Sequence, residues 1–271
     1  MSGEGQRTAS LVDSHCHLDL IEAQGEDLER VLAAARAAGV EHMLCAAVDL
    51  LSLPALADYA RRYPGVFISA GVHPNERLHT EPQAEAIAAR AVEARAVAIG
   101  ETGLDYYRST GELEWQRKRF RRHIAAARQA RLPLIIHSRE AREDTLAILE
   151  EEGAAEVGGV MHCFVEDWAS ARRAMDLGFY ISFSGIVTFR NARPLKTVAA
   201  RVPLERLLLE TDSPYLTPEP YRGKPNQPGY VRYVAEHIAE LRGTAFEAIA
   251  EATTHNFFAL FTGATPTPGT S

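Results

Sequence analysis

The sequence predicts an α/β protein, a single (β/α)8 TIM barrel. Strand-length apolar runs alternate along the chain with amphipathic runs of helix length, and strands separated by helices pair in parallel through crossovers. The strands are nearly continuously apolar, as in a sheet covered on both faces. The 271 residues fit the ~250 that one such barrel uses. A doubly wound open sheet is the alternative topology.

The elements follow in order. The first strand is expected over residues 10–18, then a helix over 26–38. Strand 40–48 precedes helix 52–63, strand 66–73 precedes helix 81–94, and strand 97–104 precedes the long helix 111–130. Strand 133–138 leads to helix 139–152, strand 158–164 to helix 166–177, and strand 179–185 to helix 191–201. Strand 207–211 is the eighth, and helices near 230–241 and 244–261 close the chain. Gly39, Gly153 and Gly178 stand just past apolar-periodic runs, the position of a left-handed helix cap. Residues 213–229 hold five prolines after the eighth strand, a long loop of the functional kind. One domain is expected over 1–261, with 262–271 a disordered tail.

Composition narrows the class. Lys and Arg total 29 against 36 Asp and Glu, a net charge of −7, with 46% hydrophobic and 24% charged residues. That mix excludes a disordered chain and a disulfide scaffold. The acidic balance argues against a broad basic surface wrapping nucleic acid, though not against local cations in a pocket. Three cysteines, Cys16, Cys45 and Cys163, form no disulfide framework and read as small buried thiols. Residues 1–10 contain no apolar leader, and no run approaches a membrane span, so a cytoplasmic location is expected.

Polar residues interrupt the apolar strands at their carboxyl ends. The first ends in Asp13-Ser-His-Cys-His17, the third in Gly71-Val-His-Pro74, the fourth in Gly100-Glu-Thr-Gly-Leu-Asp105. The fifth ends in His137-Ser-Arg139, the sixth in His162-Cys-Phe164, the eighth in Glu210-Thr-Asp-Ser-Pro214. In a barrel these ends share one face, the face that carries active sites. His15 and His17, two apart on a strand, point the same way. With His137, His162, Glu101 and Asp212 they make six nitrogen and oxygen donors, more than one tetrahedral site holds. Such a set suits two divalent ions sharing a carboxylate, and the absence of a thiolate points to Zn, Mn, Ni, Fe or Mg. His73 is expected to touch the substrate or a metal ligand. His42 reads as structural, His79, His237 and His255 as solvated or capping residues, and His123 is ambiguous.

These segments, with Pro133-Leu-Ile-Ile-His-Ser-Arg139, Met161-His-Cys-Phe164, Leu208-Leu-Glu-Thr-Asp-Ser-Pro-Tyr215, Arg222-Gly-Lys-Pro-Asn226 and Asn256-Phe-Phe-Ala-Leu-Phe261, resemble the TatD-like metal-dependent deoxyribonucleases of the amidohydrolase-like barrel superfamily. The resemblance runs from about residue 10 to about residue 261. It implies one metal on His15, His17 and Asp212, another on His137 and His162, and Glu101 bridging them. Mg, Mn or Zn are the candidate ions. Gln227 follows Asn226 where the family often has an acidic residue. Glu101 stands where lysine-bridged barrel relatives carry a carboxylated lysine, which favours the nuclease branch.

The resemblance implies a DNA exonuclease acting 3′ to 5′ on a strand end, single-stranded, with no membrane and no obligate protein partner. Asp212 would ligate and accept the proton of the attacking water, while Glu210 orients a ligand. Arg139, Arg222, Lys224 and Asn226 are candidate phosphate contacts, and Tyr221 and Phe164 candidate base-stacking residues. The run Arg117-Lys-Arg-Phe-Arg-Arg122 resembles a nucleic-acid patch but reads better as a solvated helix face. The alternatives are a two-metal amide or ester hydrolase, such as an aminoacyl-tRNA deacylase, and a non-enzymatic binding barrel.

Overall fold

The computed structural model describes residues 10–267. Eight strands succeed one another in chain order around a nearly closed barrel: β1 (Leu11–Cys16), β2 (Val40–Cys45), β3 (Val66–Ala70), β4 (Ala98–Asp105), β5 (Leu134–Arg139), β6 (Gly159–Met161), β7 (Phe179–Phe183) and β8 (Leu207–Leu209). Each pairs in parallel with the next. The monotonic order excludes a doubly wound sheet, whose strand order reverses partway.

The seam from β8 back to β1 closes at the site residues. Asp212 N donates to His15 O at 2.9 Å and His17 N donates to Ser213 O at 2.8 Å. The Asp13 carboxylate stitches the same seam, accepting from Thr211 N at 2.8 Å and from Thr211 Oγ1 at 2.5 Å.

The outer layer is α1 (Leu18–Ala23), α2 (Leu28–Ala37), α3 (Leu53–Arg62), α4 (Ala84–Glu93), α5 (Glu114–Ala130), α6 (Arg142–Glu151), α7 (Trp168–Asp176), α8 (Arg193–Arg201), α9 (Val231–Arg242) and α10 (Phe246–Leu260). α1 was not expected from the sequence. Gly39, Gly153 and Gly178 do take positive φ past α2, α6 and α7. Strand alternation then sorts the side chains. Leu134 and Ile136 pack outward under the helices, while Ile135 joins Val12, Leu44, Val160 and Leu208 in a second apolar cluster closed by Phe257 of α10 and Phe261 just past it. That cluster is the floor of the barrel. Two residues further along the same strands stand His137, His162 and Glu210.

Six of the eight strands are shorter than the sequence led one to expect, β4 and β5 keeping their expected length. β6 stops at Met161 and β8 at Leu209, so His162 and Asp212 lie just beyond them. Asp212 takes a left-handed backbone, φ 55°, which bends the chain away from the line of β8.

Part of the expected disordered tail is ordered. Ala264 is buried against the floor, its N–H donating to Phe261 O, and Thr267 N donates to His42 Nε2 at 3.1 Å. Residues 268–271, and the leader-free reading of residues 1–9, lie outside the described residues. The three cysteines are free thiols, Cys16 and Cys45 fully buried. No helix among the described residues is long and apolar enough to cross a membrane.

Three of the five cations in the basic run on α5 are engaged in ion pairs, while Lys118 is exposed and neither it nor Arg122 forms one among the described residues. Arg117 pairs with Asp144, Arg121 with Glu151 and Glu152, and Arg128 with Glu156. Arg119 is buried, pairs with Glu81, and donates to His73 O at 3.0 Å and Glu76 O at 2.7 Å. His123 is buried and accepts from Val72 N at 3.0 Å. Both residues therefore hold the loop after β3 that presents His73.

Candidate active site

Glu101 is the centre of the site, 3% exposed, with its two oxygens facing opposite ways. Oε2 lies 3.3 Å from His15 Nε2 and 3.7 Å from His17 Nε2. Oε1 lies 2.9 Å from His137 Nδ1 and 2.9 Å from His162 Nε2. Asp212 Oδ1 joins the first set, 3.5 Å from His17 Nε2 and 3.8 Å from His15 Nε2. The structure thus brings together all six donors singled out in the sequence.

β4 reaches this centre because Glu101, Gly103 and Asp105 share one face of the strand. Gly103 is required there. A Cβ on it would lie 2.0 Å from His137 O, and its φ of +138° strains any side-chain-bearing residue. The omission of a side chain lets β5 approach closely enough for His137 to meet both carboxylates of β4.

In three of the four imidazoles of the donor set the outer nitrogen fixes the tautomer, whereas His15 Nδ1 is buried without a hydrogen-bond partner. His17 Nδ1 donates to Ala46 O at 3.0 Å. His162 Nδ1 donates to the Glu210 carboxylate at 3.2 Å, and His137 Nε2 to Asp105 Oδ2 at 3.1 Å. Each of the three then aims a lone pair at an oxygen of Glu101. Lone pairs facing a carboxylate repel unless a cation lies between them. His15 Nε2 and His17 Nε2, 3.2 Å apart, pose the same problem to each other. Such spacings match donors ~2.1 Å from a shared ion. The donor set therefore fits divalent metal, and His15, His17 and Asp212 form one cluster able to hold an ion.

Without metal, protons serve instead. Burial pushes His17 down, but the hydrogen bond with Asp212 and the charge of Glu101 outweigh it and raise its pKa to about 9. Burial likewise opposes His162, yet Glu101 and Glu210 hold it well above the usual imidazole value. Burial raises Glu101, but His162, His137 and His15 more than reverse this and keep the carboxyl well below its ordinary range. A metal entering here at neutral pH displaces protons from these imidazoles.

His73 is different. Its Nδ1 accepts from Asn75 N at 3.1 Å, so the ring hydrogen sits on Nε2, 3.4 Å from Glu101 Oε1. Burial lowers its pKa to about 4, which keeps the ring neutral. His73 is a hydrogen-bond donor beside the ligand set. The side chains of His73, His137 and Asp212 are 16–18% exposed while those of His15, His17, His162 and Glu101 are 1–4% exposed. The first three therefore line the mouth from which a substrate arrives.

The loop residues fall out differently from expectation. Arg139 is at the mouth, its guanidinium 4.0 Å over the Tyr107 ring. Arg222 lies 3.6 Å over Phe189. Asn226 is not a substrate contact. It is 3% exposed, its amide donates to Thr211 O and Tyr215 O, and its Oδ1 accepts from Gln227 N. Its amide pins the loop after β8 to the end of that strand. Phe164 is buried against Phe183, and Tyr221 is stacked on Tyr230, so neither stands open to a base as supposed.

Two residues escaped the sequence reading. Asp105 accepts from His137 Nε2, Asn75 Nδ2, Tyr107 N and Arg108 N, tying a ligand imidazole to two loops of the mouth. The two-residue rhythm Glu101, Gly103, Asp105 was the signal that could have found it. Tyr107, 56% exposed, carries no periodic signal at all. With Leu51, Val165 and Tyr215 it puts four exposed apolar side chains in the loops after β2, β4, β6 and β8, around the mouth.

Comparison with known proteins agrees with this geometry. The family model described as TatD related DNase matches residues 12–262. An Escherichia coli K12 protein called an uncharacterized metal-dependent hydrolase, YcfH, is 49% identical over 254 residues, covering 93% of this chain and 95% of its own. A Klebsiella pneumoniae protein named 3′-5′ ssDNA/RNA exonuclease TatD is 34% identical over 241 residues, covering 87% of this chain and 92% of its own. The crystal structure of YJJV, a TatD homologue from E. coli, superposes with a TM-score of 0.83 at 29% identity, covering 94% of this chain and 99% of that one.

Proposed function

Since the chain belongs to the TatD family of metal-dependent hydrolases, we propose that it is an exonuclease that removes nucleotides from the 3′ end of single-stranded DNA. The observation that supports this best is the division of Glu101, one oxygen to His15 and His17 and the other to His137 and His162. That division suits two ions flanking one phosphate. Divalent metals held by His15, His17, Asp212, His137, His162 and Glu101 would supply Lewis acidity and a water of lowered pKa. Mg, Mn and Zn are the candidates.

The chain's own groups do the rest. Asp212, part-exposed at the mouth, takes the proton of the attacking water. His73 Nε2–H donates to a phosphoryl oxygen. Arg139 forms no ion pair among the described residues, and its guanidinium supplies a planar fork for the phosphate. Glu210 and Asp105 hold His162 and His137 in the tautomers that face inward.

The test runs short single-stranded DNA, RNA and aminoacyl-tRNA side by side, with and without EDTA, for wild type and Glu101→Ala. The expected result is metal-dependent release of mononucleotides from the 3′ end of DNA, lost in Glu101→Ala while circular dichroism shows the barrel folded. Deacylation of the aminoacyl ester with intact DNA would overturn the nuclease reading in favour of the ester hydrolase.

A further inference from the structure

The Tyr107–Arg139 pair stands outside the metal-binding set and belongs to no structural network of its own. Its two backbones are locked together: Asp105 and Arg139 are register partners across β4 and β5, and Tyr106 N donates to Arg139 O at 2.9 Å. The Asp105 carboxylate then fixes the turn that carries the tyrosine, with Oδ1 accepting from Tyr107 N at 3.0 Å and Arg108 N at 2.8 Å. Its other oxygen, Oδ2, accepts from His137 Nε2. One carboxylate thus sets both a ligand imidazole and the tyrosine beside the mouth.

The tyrosine is presented as a platform. The Arg139 guanidinium covers one face at 4.0 Å, yet the residue remains 56% exposed, which leaves the opposite face to solvent. An exposed aromatic ring on a fixed turn, backed by an uncompensated guanidinium, has little reason to exist for packing. Aromatic rings beside cations are what holds unstacked bases in single strands, because every base offers a π-face. Arg139 lies two residues beyond His137 on β5, ~6.6 Å further out along the strand.

We propose that the Tyr107–Arg139 pair is the subsite for the nucleotide next to the one released, with its unpaired base stacked on the open face of Tyr107 and the phosphate that joins it to the released nucleotide near the Arg139 guanidinium. The proposal rests on the exonuclease reading and deepens it. It makes an unpaired penultimate base part of what the site recognises, so a paired end is a poor substrate because its base cannot leave the duplex stack.

The experiment uses the metal-loaded chain and a single-stranded DNA hexanucleotide with 2-aminopurine as the penultimate 3′ base and a hydrolysis-resistant phosphorothioate at the terminal linkage. Stacking on an aromatic ring quenches 2-aminopurine. Wild type is expected to quench on binding. Tyr107→Ala loses the quench and binds about 5- to 100-fold more weakly, the loss of one base–aromatic stack. Tyr107→Trp restores both, which separates stacking from a merely structural role of the side chain. The same quench and affinity in Tyr107→Ala as in wild type would overturn the subsite while leaving the nuclease reading standing. A wild-type chain that neither binds the hexanucleotide nor cleaves its unmodified counterpart would overturn both.

Discussion

At the scale of single residues, His17, His137 and His162 have their inward nitrogens chosen by what holds their outward ones. Asp105 is the clearest case. It accepts from His137 Nε2 at 3.1 Å, and its own carboxyl is held below its usual range, with burial opposed by the hydrogen bonds of His137, the Arg108 backbone and Asn75. An asparagine there can orient its amide to His137 only by giving up the negative charge that stabilises the donating tautomer. Asp105→Asn is expected to weaken metal affinity by about 10- to 100-fold at the ion sharing His137, leaving the other ion nearly unaffected. Titration of the metal-free variant with Zn or Mn, read by calorimetry, resolves the two affinities. Uniform weakening of both, or of neither, contradicts the role assigned to Asp105. The metal donors themselves were legible in the sequence because ionisable residues stand out when they interrupt apolar strands. Asn226 was misread for the opposite reason. In a loop, a polar side chain bonds its own backbone as readily as a ligand, and nothing in the residue type distinguishes the two.

At the scale of an element, β4 shows why the site is sensitive to backbone placement. Its inward face reads Glu101, Gly103, Asp105, and the middle position has no room for a methyl group against His137 O. Gly103→Ala is expected to cost about 2–5 kcal/mol, combining the positive-φ strain with the clash against β5. The same displacement moves His137 from its two carboxylates, so metal content falls along with stability. Urea denaturation together with metal analysis of the purified variant tests this. A variant of wild-type stability and full metal content would show that β5 yields at no cost. The alternation of strands and helices was legible because apolar periodicity survives in every unit. Strand ends were not, because β6 and β8 leave the ladder at Met161 and Leu209, where the polar site residues begin, and the expected strands carried on through those residues to 164 and 211. Nor did the ordering of residues 262–267 show, since it depends on His42 and the floor cluster rather than on their own composition.

At the scale of the whole molecule, the net charge of −7 and the proposed anionic substrate have to be reconciled. Most of the positive charge on α5 does not do so, since Arg117, Arg119 and Arg121 are bound to carboxylates of the chain itself. Two guanidiniums at the carboxyl-terminal face lie on aromatic rings instead, Arg139 on Tyr107 and Arg222 on Phe189. Ions at the site would add positive charge locally without changing the acidic exterior. On the proposed function, such a molecule would hold a strand end at a few phosphates and repel the rest of the polymer. Each phosphate neutralised on a single strand contributes about −0.7 to the slope of log affinity against log salt. Two to four contacts therefore give a slope of roughly −1.5 to −3 for a single-stranded oligonucleotide. Lengthening the strand beyond the few nucleotides at the mouth should not steepen it. Fluorescence anisotropy across a salt series, at fixed metal concentration and with a hydrolysis-resistant 3′ linkage, measures both quantities. A slope near −6 that grows with strand length would mean that the chain tracks the backbone over an extended surface, against the expectation from its net charge of −7.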